Sequence, residues 1–404
     1  VSMKKTRIAK TLTAAGLTAA MVMSMGGMTA FAAKPLEVTK PIEWTKTVTT
    51  DGNTYAPDTK FDFTIESGTG QTLTIDGKTV STKAGVEGGL LFSWMKDGLK
   101  QTGLSTSLSF APGEAALPNY TQTANLEVVS SAFDDEDGTG VYHYTVKETI
   151  PSSPYPGVKY STDTYNVFLY VYERDGWTAE SQESQYYVGN VVITKNDATI
   201  TDSATNGKQA DVNFINEYGK DEDGKEIFHD LTVTKKVSGV LGELNKPFEI
   251  TVEITNAAGD GNGKRVYKVE DKGVETTLTY SNGKYSGTFS LMNEQSVEIF
   301  GLAEDDSIVI FENESVATTD GYTVSFAKLK DNQETAMGKE TGFEAKMDDV
   351  TIAEDTNILV KNDKGGEDGV TPTGIILNFA PYIALVAFAG VFAGLFLRKR
   401  KEEF

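Results

Sequence analysis

Short runs of alternating apolar and polar residues, separated by Gly, Asn, Asp and Pro, fill the chain from about residue 33 to residue 365. This period of two is what most restricts the fold. Phe61-Asp-Phe-Thr-Ile65, Tyr142-His-Tyr-Thr-Val146, Tyr165-Asn-Val-Phe-Leu-Tyr-Val-Tyr172 and Ile308-Val-Ile-Phe311 are examples. Successive side chains of a strand point to opposite faces, so each run presents one face suited to a core and one suited to water. The helical period is nearly missing: the region Gly89 to Met95 is the one short helix candidate before residue 374. The chain therefore reads as all-β, built of sandwiches.

The two ends follow other rules. Lys4, Lys5, Arg7 and Lys10 precede the apolar, small-residue run Leu12 to Met28, and Ala30-Phe31-Ala32 has the small-x-small form of a signal-peptidase site. The alternative is an uncleaved membrane helix, which the cleavage pattern disfavours, so residues 1–32 are read as a signal peptide outside the fold. At the other end Ile375 to Leu397 carries no charge and is long enough to cross a bilayer as a helix. Arg398-Lys399-Arg400-Lys401 follows, which places the tail in the cytoplasm and everything before Gly374 outside. A plain single-pass anchor would need no more than this. The Val370-Thr371-Pro372-Thr373-Gly374 just outside the span adds an extended, accessible backbone held by Pro372. It resembles the sorting signals that sortases cleave between Thr and Gly, here Thr373 and Gly374. It departs from Leu-Pro-x-Thr-Gly in its first three positions and is closer to a Glu-Val-Pro-Thr-Gly type.

Composition excludes several functions. Lys and Arg number 37 against 58 Asp and Glu, a net charge of −21, which makes the chain a poor ligand for nucleic acid or anionic lipid. There is no cysteine, so an exported chain of this length must be stabilised by some means other than disulfides. Its two histidines, His143 and His229, are not at ligand spacing, which argues against a zinc site or a Ser–His–Asp triad. Asp134-Asp-Glu-Asp137-Gly138 lacks the alternate-position ligands of a calcium loop and reads as a solvated turn, as does Asp221-Glu-Asp-Gly224. No metal and no cofactor is expected. No Gly-x-Ser-x-Gly or comparable nucleophile motif is present, so an extracellular enzyme has little support.

Ordering the strands exposes a long-period repeat. The first half has Glu43-Trp-Thr-Lys46-Thr-Val, Phe61-Asp-Phe-Thr-Ile65, Tyr144-Thr-Val-Lys-Glu148 and Val212-Asn-Phe-Ile-Asn216. The second has Leu231-Thr-Val-Thr-Lys235-Lys-Val, Phe248-Glu-Ile-Thr-Val252, Val309-Ile-Phe-Glu312 and Ile358-Leu-Val-Lys-Asn362. This suits two tandem domains, 33–218 and 230–365, joined by a linker at 219–229 that takes in most of the acidic, Gly-containing stretch Tyr218 to Lys225. Residues 366–374 then hold the sorting motif, 375–397 the transmembrane helix and 398–404 the basic tail. The excess length of the first domain, between Thr79 and Gly140, reads as an insertion or long loops.

Lys46, Glu148 and Asn216, and likewise Lys235, Glu312 and Asn362, fall on the apolar faces of their strands, where an unpaired polar group is costly. Three explanations stand. Their tips reach solvent at strand ends, or Lys and Glu form a buried ion pair. Alternatively Lys and Asn are covalently joined: desolvation favours a neutral amine and a neutral acid, the amine attacks the amide carbon, and Glu donates a hydrogen bond to the amide oxygen and shuttles protons as ammonia leaves.

At this point the sequence resembles the major backbone pilins of Gram-positive bacteria, whose tandem Ig-like domains carry intramolecular Lys–Asn isopeptide bonds. The resemblance covers nearly the whole ectodomain and is strongest in Leu231-Thr-Val-Thr-Lys-Lys-Val-Ser-Gly239, in Tyr155-Pro-Gly-Val-Lys-Tyr160 and around Asn216 and Asn362. Phe311, before Glu312, stands where the family often has Thr. The resemblance implies cross-links Lys46–Asn216 and Lys235–Asn362, with Glu148 and Glu312 as their self-catalytic acids. It implies a structural shaft subunit of a sortase-assembled, cell-wall-anchored pilus; a wall-anchored adhesin or minor pilin is the alternative. Its partners would be sortase, further copies of the chain, peptidoglycan, accessory pilins and host surface ligands. The resembling pilins accept the next subunit on a lysine shortly before the first domain's Asn; Lys208 in Asn206-Gly-Lys-Gln209 occupies that region, one position off in spacing, with Lys195 as runner-up.

Overall fold

The computed structural model describes residues 34–75, 78–196, 212–221, 223–257 and 264–365. The signal-peptide, sorting-motif, transmembrane and basic-tail expectations, including Thr373 and Gly374, and the candidate acceptor Lys208 lie outside the described residues. No helix among the described residues is long and apolar enough to cross a membrane.

The chain is almost entirely β-structure, as its period of two requires, and divides into two compact units, the first ending at Ile227 and the second beginning at Phe228. In the first unit one sheet runs Val158–Lys159, Val212–Tyr218, Ile42–Thr49, Asn119–Val128, Leu90–Lys96, Leu99–Gly103. The other runs Tyr186–Lys195, Thr164–Glu173, Gly140–Thr149, Thr59–Ser67, Ser105–Phe110, with Lys83–Ala84 added beside Gly140–Thr149. Aromatic rings fill the space between them: Trp44 meets Phe63 at 4.6 Å between centroids and Phe214 meets Tyr165 at 5.0 Å. Each fully buried apolar side chain of this kind contributes about 1.5–3 kcal/mol.

The second unit repeats the plan. Its larger sheet runs Val274–Thr277, Lys268–Asp271, Ser296–Ala303, Phe228–Ser238, Thr356–Asp363, Thr323–Lys330, Gln333–Met337. Its smaller one runs Thr279–Ser281, Lys284–Leu291, Phe248–Thr255, Ser307–Glu312, Val350–Thr351. In both units the opening strand pairs in parallel with the closing strand, Ile42–Thr49 with Val212–Tyr218 and Phe228–Ser238 with Thr356–Asp363. A parallel pair cannot be closed by a tight turn, so the rest of each unit is strung between its two members.

Two expectations change. The helix candidate Gly89 to Met95 is instead the strand Leu90–Lys96, whose Leu90 and Phe92 are buried and whose Phe92 ring lies 5.3 Å from Trp44. Pairing with Asn119–Val128 decides the conformation of a run too short to hold a helix by itself. The stretch from Thr79 to Gly140 is not loops: its strands complete both sheets of the first unit. Their polar alternation on exposed edges hid them, since Leu99–Gly103 and Ser105–Phe110 bury little.

Candidate functional site

The opening strand of the first unit buries Trp44, Lys46 and Val48 and turns Thr45, Thr47 and Thr49 outward. Its register with the closing strand sets Lys46 beside Phe214 and Val48 beside Asn216. Lys46 and Asn216 are thus diagonal neighbours on one inward face, two residues apart in register. Glu148 reaches them from the facing sheet, where Tyr144, Val146 and Glu148 are buried in alternation. Lys46 Nζ donates to Glu148 Oε2 at 2.8 Å, and Asn216 Nδ2 donates to Glu148 Oε1 at 2.6 Å. One carboxylate therefore spans the amine and the amide. The other side of the amide is held as well, because Asn216 Oδ1 accepts the Ser161 backbone N–H at 2.7 Å.

Burial sets the electrostatics. Lys46 and Asn216 have no exposed surface, and the Lys46 amine lies 4.6 Å from the centre of the Phe61 ring. Desolvation lowers Lys46 to about 8 against the opposing pull of Glu148. Desolvation also raises Glu148, with Lys46 and Asn216 opposing. An amine with an accessible neutral form thus sits beside an amide whose oxygen already accepts a hydrogen bond, a polarising arrangement of the oxyanion-hole kind. Glu148 faces the amide nitrogen and not, as the sequence suggests, the amide oxygen. In this geometry the Ser161 N–H serves the oxygen and Glu148 is placed to carry a proton to the nitrogen.

The second unit brings Lys235, Glu312 and Asn362 together by the same register: Lys235 lies beside Val360 and Val237 beside Asn362. Lys235 Nζ donates to Glu312 Oε1, and the amine lies 4.4 Å from the Phe248 ring centre. Desolvation lowers Lys235 to about 8, with Glu312 opposing. Here the amide is not engaged. Asn362 Oδ1, Asn362 Nδ2 and Glu312 Oε2 are all buried without a hydrogen-bond partner.

The runner-up acceptor Lys195 ends the strand Tyr186–Lys195 and pairs with Asp163 at 2.8 Å. The acidic stretch at Asp134 is a turn closed on itself: Asp134 Oδ1 accepts from the backbone N–H of Glu136 at 2.9 Å and of Asp137 at 3.3 Å. Asp221 Oδ1 likewise accepts from Asp223 and Lys225. Three contributors escaped sequence reasoning: the Ser161 N–H, Phe61 and Phe248. A backbone donor has no residue signature, but both rings head the second strand-run of their half, a shared position that could have marked them.

Residues 229–364 match a family described only as a domain of unknown function (DUF7601). A curated protein named Pilin from Streptococcus pyogenes serotype M1 is 25% identical over 405 residues, covering 97% of this chain and 98% of the relative. Among solved structures, the major pilin T3.2 of S. pyogenes serotype GAS13637 is 20% identical, with a TM-score of 0.48, covering 82% of this chain and 100% of the other. A major pilin from S. pyogenes is also 20% identical, with a TM-score of 0.44 and coverages of 81% and 100%.

Proposed function

We propose that this chain is a pilin, the structural shaft subunit of a covalently assembled surface pilus, and that each unit is locked by an amide bond, Lys46–Asn216 in the first and Lys235–Asn362 in the second. End-to-end similarity to a curated pilin supports the structural role. The observation that carries the cross-links is the repeated geometry: a buried lysine and a buried asparagine, two residues apart in register, on the opening and closing strands, with a glutamate between the sheets.

The reaction balances without a cofactor. The neutral lysine amine attacks the asparagine side-chain carbon, its surplus proton passes through Glu148 or Glu312 to the amide nitrogen, and ammonia leaves as the new amide forms. Burial supplies the neutral amine by lowering both lysines to about 8. In the second unit the reaction would also use a side chain that otherwise stays buried and unpartnered, a state costing about 1–3 kcal/mol per group. Joining first strand to last lets tension enter and leave a unit without unravelling what lies between. If loop-closure entropy for disulfides carries over, each bond adds about 5 kcal/mol. Intact-mass measurement of the mature chain tests this: a deficit of two ammonia molecules is expected, and the full sequence mass would overturn it.

Export by the leader, retention by the apolar span, and sortase cleavage between Thr373 and Gly374 would join the Thr373 carboxyl to a lysine of the next copy, Lys208, and finally to peptidoglycan. Substituting Lys208→Ala with the cognate sortase present should abolish the high-mass ladder on a denaturing gel while leaving wall-anchored monomer. A persisting ladder moves the acceptor to Lys195. No ladder from the unaltered chain would favour the adhesin reading.

A further inference from the structure

Between the opening strand Phe228–Ser238 and the strand Phe248–Thr255 of the second unit, the chain carries an aliphatic loop that nothing in the unit covers. Val240, Leu241 and Leu244 are 60%, 51% and 54% exposed, and Met292 beside them is 37% exposed. Hydrogen bonds tie the loop to the unit. Leu241 N–H donates to Lys364 O at 3.0 Å, Gly242 to Gly239 O at 3.1 Å, and Glu243 N–H to the Tyr322 hydroxyl at 3.1 Å. Asn293 N–H donates to Leu244 O at 3.4 Å. Gly239 has φ +88°, and a Cβ there would fall 2.3 Å from Lys364 O, so only glycine allows this close approach. A fixed display of three large aliphatics in water loses their burial energy with no return in the isolated unit, and such patches mark interaction surfaces.

The position of the loop names its occupant. It is hydrogen-bonded to Lys364, and the nine residues 366–374 alone separate Gly365 from the apolar run beginning at Ile375. Fully extended, they reach about 30 Å at most. We propose that, before sorting, this loop rests on the lipid surface of the bilayer that holds the chain's own apolar span. The proposal rests on the anchor reading above. Around the loop Lys236 pairs with Glu294 at 3.1 Å and Lys246 with Asp320 at 2.7 Å, and the exposed Glu243 within it offsets Lys364, whose amine lies 5.1 Å from the Tyr322 ring centre, so the patch has no strong preference for anionic lipid. With a net charge of −21 the chain as a whole is repelled by such lipid, which leaves apolar insertion as the attraction. A short tether holds the loop at an effective concentration of about millimolar, enough to make a weak apolar contact persistent. The contact would hold the second unit against the membrane surface at which the Thr373–Gly374 bond lies, next to the span, and cleavage would release it.

The absence of cysteine makes the test clean. The full chain carrying Leu241→Cys, labelled with an environment-sensitive fluorophore, is reconstituted into phosphatidylcholine vesicles with or without brominated acyl chains. Val274→Cys, 64% exposed on another strand, is the control, and Leu244→Cys replaces Leu241→Cys should the latter fail to fold. Brominated lipid should quench the loop label about threefold or more and leave the control almost unchanged. Flotation reads the anchor separately: a chain that does not float fails both readings, and one that floats with an unquenched loop label overturns this one alone. A loop label shielded from aqueous iodide only at high protein density, with no lipid quenching, assigns the patch to a second copy and also overturns it.

Discussion

The two Lys–Glu–Asn sites share strand order and register but differ in how the amide is held. In the first unit Asn216 is engaged on both sides, by Glu148 and by the Ser161 N–H. In the second Asn362 is equally buried yet unpartnered, and Glu312 bonds with only one of its oxygens. The first site is therefore a satisfied polar network whether or not it reacts, while the second carries uncompensated polar groups unless it does. Strand register fixes which groups meet; hydrogen bonds from neighbouring loops fix how strained the meeting is.

Removing the carboxylates breaks the comparison most severely. Glu148→Ala and Glu312→Ala should each restore one ammonia to the intact mass and leave the other unit's bond in place. Each loses the cross-link, about 5 kcal/mol, and strands a buried amine, about 3–5 kcal/mol more. Calorimetry should show one transition falling steeply and the other unmoved, because sites in separate units are independent. A common fall of both transitions would contradict the assignment of one site to each unit.

The asparagines sharpen it. Asn216→Ala and Asn362→Ala both forfeit a bond, but Asn216→Ala also orphans the Ser161 N–H, a further cost of about 1–3 kcal/mol. Asn362→Ala abandons no hydrogen bond among the described residues. The first unit should accordingly lose more in denaturant melts than the second. Equal losses would mean that the Ser161 bond contributes nothing to the stability of the first unit.

Much of this was legible in the chain because the β period is local. Once Lys46, Glu148 and Asn216 fell on apolar faces, their meeting needed only a fold that pairs first strand with last. The all-β architecture followed from the same alternation. What the sequence hid depends on distant pairing: Leu90–Lys96 is a strand because Asn119–Val128 lies beside it, and the amphipathic signal of Leu99–Gly103 is faint because edge strands bury little. The difference between the two amides was equally hidden, since it turns on a main-chain donor at Ser161 whose side-chain identity is irrelevant to the bond.

The smallest effect is one of pH, and it tests whether the sites differ in the amide alone. Both lysines are lowered by burial to about 8, so their amines should behave alike even though their amides do not. In Asn216→Ala and Asn362→Ala the amine stays free and titrates. Between about 8 and the unfolded value near 10.4, the unfolded chain holds a proton that the folded one does not. Stability of the variant unit should then rise with pH across that window, by about 1 kcal/mol per unit, and level off above it. Glu148, raised by desolvation, acts with the opposite sign at acid pH: its contribution falls as pH climbs from the unfolded carboxyl value to the raised folded one. Neither site of the unaltered chain should show the alkaline rise, since an amide nitrogen carries no titrating proton there. Melts of both variants and the parent from pH 7 to 11 decide it. A parent that stabilises alongside the variants would mean that its lysines are still free amines, and the cross-links would fall with that result.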